Sequence, residues 1–169
     1  MHKTILIPTD FTIRSLGLLK IALNEQGDQK FNIILSHGVR LSTSISDLLF
    51  FSHGKLIQSL SSKEFEEGLQ VIKNKYGSQI NQIRIEPFVG STQSAFHNYV
   101  MGNKIDEAYL FTGYKPALNH HDSFDITPMI EKLHNVRQVA YDGPPFEVNR
   151  QESFADLFFS RIPGLTPKS

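Results

Sequence analysis

Apolar residues along the chain gather into short runs that alternate with helically spaced stripes. Ile5-Leu6-Ile7 is an unbroken aliphatic run that stops at Pro8-Thr9-Asp10, the pattern of a strand buried on both faces and ended by a polar turn. Leu16, Leu19 and Leu23, with Leu18 and Ala22, then recur at helical spacing, with Thr12 as the cap and Asn24 to Gly27 as the stop. Gly17 inside that helix costs about 1 kcal/mol against alanine and reads as a close approach to the sheet. Phe31 to Leu35 is a second buried strand, closing on Ser36-His37-Gly38. Ser42 to Ser46 is a polar connector, and Asp47 to Phe51 is expected to form a short helix broken near Ser52-His53-Gly54. Ser61 with Glu64 fits a capping box opening a helix with Phe65, Leu69, Ile72 and Tyr76 on one face, ended by Gly77. Ile83 and Ile85 alternate with Arg84 and Glu86 in a half-exposed strand that ends at Pro87 to Gly90. Ser91 or Thr92 starts a helix carrying Ala95, Phe96, Tyr99 and Val100, and Gly102 ends it. Ala108 to Thr112 is a fourth strand, closing on Gly113. Thr127-Pro128 reads as a cap followed by proline at the first position of a short helix through Leu133, and Val136 to Tyr141 is a fifth strand.

Strands and helices that alternate in this way predict an α/β fold, a doubly wound parallel sheet with helices on both faces. Its switch point falls near the ends of the first and fourth strands, where ligands of open α/β sheets bind. Asp10 stands there and could accept hydrogen bonds from a ligand hydroxyl or amine; Asp10 or Thr12 could equally cap the next helix. The length of 169 residues fits one domain over residues 1–142, followed by a C-terminal extension over 143–169. In that extension Asn149 and Glu152 give a cap-like start, and Phe154, Leu157, Phe158 and Ile162 share one helical face. The expectation is a short amphipathic helix docked on the domain or on a dimer partner.

Lys plus Arg and Asp plus Glu balance at 17 each, which removes the electrostatic case for nucleic acid or an anionic membrane as partner. The chain has no cysteine, so disulfides and thiolate metal sites are excluded. No window approaches the ~20 apolar residues of a membrane span, and the apolar run after Met1-His2-Lys3 is too short for a signal peptide. A cytoplasmic location is the expectation.

The residues that carry a family likeness are Ile5-Leu6-Ile7-Pro8-Thr9-Asp10-Phe11, Ser36-His37-Gly38-Val39, Phe88-Val89-Gly90 and Leu110-Phe111-Thr112-Gly113. In order and spacing, over roughly residues 3–142, they resemble the universal stress protein family. The resemblance implies a Rossmann-like five-stranded domain, a homodimer paired through the last strand, and a role in stress physiology. It also implies ATP or AMP at the switch point in many members. Their phosphate loop has a glycine at the fourth-strand end, a second glycine three residues on, and Gly-Ser or Gly-Thr nine residues further. Gly113 matches the first of these, but Pro116 and Ile126 replace the next two, while Thr127 keeps the hydroxyl. A proline has no N–H to offer a phosphate, and a β-branched residue blocks close backbone approach.

The candidate ligand-binding set is therefore Thr9, Asp10, His37, Val39, Gly113, Lys115 and Thr127, for a small polar ligand or an adenine nucleotide. His120-His121-Asp122 in the same loop offers metal-ligand chemistry weighed against a solvated loop, and no cofactor is expected. No Gly-x-Ser-x-Gly elbow, Walker loop or dinucleotide fingerprint occurs, and Glu66-Glu67 and Asp106-Glu107 are neighbours whose side chains diverge. The expectation is a non-enzymatic binding or regulatory module, dimeric and without tight ATP binding. An adenine-nucleotide binder with a remodelled loop and an interaction protein working through its surface are the alternatives.

Overall fold

The computed structural model describes residues 1–143, so the expected helix of the C-terminal extension lies outside the described residues. The chain order is β1 (Lys3–Pro8), α1 (Ile13–Glu25), β2 (Phe31–Ser36), β3 (Gly38–Val39), α2 (Ile45–Leu49), α3 (His53–Leu60) and α4 (Lys63–Lys75). It continues with β4 (Ile80–Ile85), β5 (Phe88–Val89), α5 (Gln93–Gly102), β6 (Glu107–Thr112), β7 (Ser123–Phe124), α6 (Thr127–Ile130) and β8 (Val136–Ala140). The main sheet has five strands in the order β4-β2-β1-β6-β8, all parallel. Because β1 is flanked by β2 on one side and β6 on the other, the chain reverses its winding direction between β1 and β6. That is the predicted switch point.

Burial explains why the central strands were so plain in the sequence. Ile5 and Ile7 point into a core shared with Leu16, Leu19 and Leu23 of α1 and Phe65, Leu69 and Ile72 of α4. Leu6 points the other way, into a second core with Phe96 and Val100 of α5 and Ile130 of α6. A strand whose side chains alternate between two buried faces must be apolar throughout. The edge strands β4 and β8 carry mixed patterns and half-exposed faces.

Several local expectations need correction. The helix expected over Asp47 to Phe51 forms two residues earlier, as α2, and leaves Phe50 80% exposed. The break expected near Ser52-His53-Gly54 falls at residues 50–52, between α2 and a helix that was not foreseen, α3, whose cap is Ser52: its hydroxyl accepts the Lys55 N–H. α4 is capped by Ser62 and not by Ser61, with Ser62 Oγ accepting from Phe65 N at 3.1 Å. Thr127 lies inside α6 and does not cap it; the preceding Asp125 carboxylate accepts the Thr127 N–H at 2.9 Å. Gly17 faces Phe111 across an ordinary van der Waals gap, 3.8 Å from where a Cβ would sit, so the contact does not require glycine.

A second, three-stranded sheet, β5-β3-β7, was not foreseen. β3 pairs with β5 in parallel and with β7 antiparallel, so the segment after β6 crosses back over the carboxyl ends of the main sheet. This small sheet sets the geometry of the switch point.

Candidate functional site

At the end of β1 the chain turns sharply through Thr9-Asp10-Phe11-Thr12. Phe11 adopts a left-handed backbone, φ 61°, uncommon for a residue with a Cβ. Its ring is buried edge-on against Phe65 and His37, at centroid distances of 5.2 and 5.1 Å. Burying so large a ring offsets the backbone cost, of order 1 kcal/mol. The turn then delivers Thr12 as the N-cap of α1, its hydroxyl accepting from Ser15 N. Thr9 Oγ1 accepts the Phe11 N–H at 3.1 Å and bonds Ser15 Oγ at 2.9 Å.

This turn aims the Asp10 carboxylate at the loop that follows β6. Oδ1 accepts from the backbone N–H and the hydroxyl of Thr12. Oδ2 accepts from the Tyr114 hydroxyl and from the Ala117 backbone N–H at 2.8 Å. Asp10 is buried, and its four hydrogen bonds all come from its own chain. Tyr114 is held in turn by Phe111 and Tyr141, with ring centroids 5.6 and 4.8 Å away, and by the Arg14 guanidinium over its face. Burial, followed by the charge and hydrogen bond of Asp10, pushes the Tyr114 hydroxyl pKa well up, so the phenol stays protonated and donates.

His37 is the second anchor. Its Nδ1 bonds the Thr9 carbonyl at 2.8 Å and its Nε2 the Ser123 hydroxyl at 2.7 Å. A carbonyl can only accept, so Nδ1 carries a proton; in the neutral ring Nε2 then accepts from Ser123. Burial lowers the His37 pKa, outweighing the Thr9 bond and the Asp10 charge that raise it, so the neutral ring is the resting form. The imidazole thereby ties β1 to β7. Serine bonded to histidine is also the geometry of an activated nucleophile. Here Ser123 sits in a strand ladder and lines neither of the cavities described below.

Opposite, Ile126 and Phe124 close over Gly38. A Cβ at Gly38 would lie 2.6 Å from both Ile126 Cγ2 and the Phe124 carbonyl, so backbone and side chain meet where only glycine fits. Between these groups a cavity of about 30 Å³ remains, lined among others by Thr9, Asp10, His37, Tyr114, Pro116, Ile126 and Thr127. That is room for about two waters.

Four of the residues expected from the sequence thus converge: Thr9, Asp10, His37 and Thr127 all line this cavity. The other three do not. Val39 is buried in the ladder between Val89 and Ser123. Gly113 is an exposed turn with φ 76°, and Lys115 is exposed beside it. The groups that complete the site, Tyr114, Ala117 and Ser123, were not foreseen; an aromatic one residue after the turn glycine was the one signal available.

No family model and no curated protein matches the sequence. Among solved structures the chain is similar to hypothetical protein MJ0577, at 19% identity and a TM-score of 0.51, over 90% of this chain and 99% of that one. It is similar also to universal stress protein UspA from Lactobacillus plantarum, at 12% identity and a TM-score of 0.51, over 83% of this chain and 97% of that one. At these identities the likeness establishes the fold, the Rossmann-like α/β fold of the universal stress proteins.

Proposed function

We propose that this chain of universal-stress-protein fold is a non-enzymatic binding or regulatory module of the stress response, dimeric, and independent of tight ATP binding. The observation that carries the reading is the state of the switch point. Asp10, the acidic group placed to meet a ribose or another polar ligand, spends its hydrogen bonds on Thr12, Tyr114 and Ala117. The remaining cavity of about 30 Å³ is an order of magnitude below the ~300–1,000 Å³ of small-molecule pockets. A nucleotide would have to expel Tyr114 and the segment behind it, and would find Pro116 where an amide donor is wanted.

Isothermal titration with Mg-ATP and with AMP tests this. Nothing tighter than the high micromolar range is expected, about −5 to −6 kcal/mol at best. A low-micromolar constant would overturn it. The adenine-nucleotide reading stays the rival, favoured by the convergence of Thr9, Asp10, His37 and Thr127 on one crevice. Under that reading nucleotide binding displaces residues 114–117 from Asp10, and Asp10→Ala weakens it.

A further inference from the structure

The segment that crosses the switch point carries chemistry that the crevice does not use. His120, His121 and Asp122 stand together at its outer side, immediately before β7. Among the described residues they are the one group of three metal-ligating side chains whose ligand atoms all lie within 4.8 Å of one another. We propose that this triad binds one divalent transition-metal ion of the zinc class, and that the ion staples the crossing segment in place.

The backbone under the triad is already fixed. Arg40 N donates to the Asp122 carbonyl at 2.8 Å, and Ser123 N to the His120 carbonyl at 3.0 Å. Asp122 N donates to His120 Nδ1 at 3.2 Å, so that lone pair turns inward toward Asp122. The two imidazoles stack, with centroids 4.5 Å apart and planes 27° from parallel. His121 Nε2 lies 2.9 Å from Asp122 Oδ2. Ligand atoms of a tetrahedral zinc with bonds of about 2.0–2.1 Å sit about 3.4 Å apart. At 2.9 Å the His121–Asp122 edge is a direct contact shorter than that spacing, so the ion takes the place of the bond between them, and side-chain rotation of His121 and His120 completes the three positions. His121 is 81% exposed, which gives the rings freedom to turn and the ion a way in.

Two imidazoles and one carboxylate suit zinc, nickel or copper and are a poor match for calcium or magnesium, which prefer oxygen alone. Three protein ligands leave the fourth position open. The triad lines a groove of about 360 Å³ together with residues of α2 and α3, Asp47 and Lys55 among them. The absence of cysteine from the chain means that no thiolate competes for the ion. The consequence for the fold follows from sequence adjacency. Asp122 leads directly into Ser123, which bonds His37, and Phe124, which pairs with Gly38, so fixing the triad fixes the closure of the crevice.

Equilibrium dialysis of the untagged, chelator-treated full chain against zinc chloride tests the proposal. The expected result is one equivalent bound with a constant on the order of micromolar, lost at least tenfold in His120→Ala/His121→Ala. Zinc should raise the melting temperature of the wild type by several degrees and leave the double variant unmoved. Amide shifts on zinc addition should centre on residues 118–124, with magnesium producing none. Uptake equal in wild type and double variant would place the ion on His2, His53, His97 or His134 and overturn the proposal. So would an absence of uptake at millimolar zinc. His121 is exposed and His120 half-buried, so the double variant serves as a folded control, and its circular dichroism verifies this independently of metal.

Discussion

Replacing Asp10 should cost far more stability than replacing an ordinary turn residue. Asp10→Ala strands four donors: the Thr12 and Ala117 backbone N–H groups, the Thr12 hydroxyl and the Tyr114 hydroxyl. The two hydroxyls can rotate toward other partners. The two amides cannot, and both Thr12 and Ala117 are buried, at 8% and 4% exposure. A hydrogen bond to a charged acceptor is worth about 1.5–3 kcal/mol and a stranded buried donor costs about 1–3. Two fixed amides and a partly rescued phenol thus add to roughly 3–5 kcal/mol. Water entering from the adjoining 30 Å³ cavity brings the figure toward the lower end. For a chain of this size that is a fall of about 6–20 °C in melting temperature. Asp10→Asn keeps one acceptor but turns an NH₂ toward donors, and should cost about 2 kcal/mol. Tyr114→Phe should cost about 1–2 kcal/mol, the loss of the bond to Asp10 and of the longer one to the Thr12 hydroxyl. Urea unfolding of Asp10→Asn, Tyr114→Phe and the double variant closes a cycle. A coupling energy above about 1 kcal/mol is expected, since the two groups touch. A loss under 1 kcal/mol for Asp10→Ala, or zero coupling with Tyr114, would refute the view that the crevice is held shut through this carboxylate.

Three further outcomes follow from the same structure. Gly38→Ala should destabilise by about 1–3 kcal/mol, because its Cβ meets Ile126 and the Phe124 carbonyl at 2.6 Å; Gly38→Ala with Ile126→Ala should regain part of that, read by thermal melting. Acid should weaken the fold below the ordinary Glu range. Burial raises the Glu107 pKa, but the hydrogen bonds and charges of Lys3 and Arg137 outweigh it and hold it below normal. Its stabilisation is therefore complete above about pH 4.5 and fades as pH falls through the lowered value; Glu107→Gln should flatten that limb of a pH–stability curve. Finally, light scattering at tens of micromolar should report a dimer, since among the described residues β8 pairs only with β6 and its other edge suits antiparallel pairing across a two-fold; a monomer would count against the assembly.

What the sequence made legible follows from burial. β1, β2 and β6 are covered on both faces, and their apolar runs could be nothing else. α3 was missed because its inward side rests on Ile57 and Leu60 alone, partly buried, and because Gly54 near its start looked like a break. β3, β5 and β7 are two residues each, too short to show any period. The position of Asp10 could be read from the strand end, but what it bonds could not. Its partners include a backbone N–H at Ala117, and a main-chain donor leaves no mark in a sequence.

The departures from the nucleotide loop are better understood together than one at a time. A glycine in such a loop keeps backbone open to a phosphate, and the resemblance places such glycines where Pro116 and Ile126 now stand. Each replacement puts protein where ligand would go. Pro116 stiffens the approach to Ala117, whose N–H reaches Asp10. Ile126 is buried at 3% exposure against Gly38. The crevice does require a glycine, on its other side. Gly38 must lack a side chain because Ile126 and the β7 backbone occupy that space. Restoring a phosphate loop would accordingly take more than restoring glycines. Ile126→Gly alone should open a cavity in the second core at a cost of several kcal/mol, while Tyr114 and Ala117 still hold Asp10. If Pro116→Gly with Ile126→Gly were to bind Mg-ATP at low micromolar concentration in a chain still folded by circular dichroism, the filling of the crevice would rest on those two side chains alone. Failure of that variant to bind, with binding gained only when Tyr114 is also removed, is the outcome expected here.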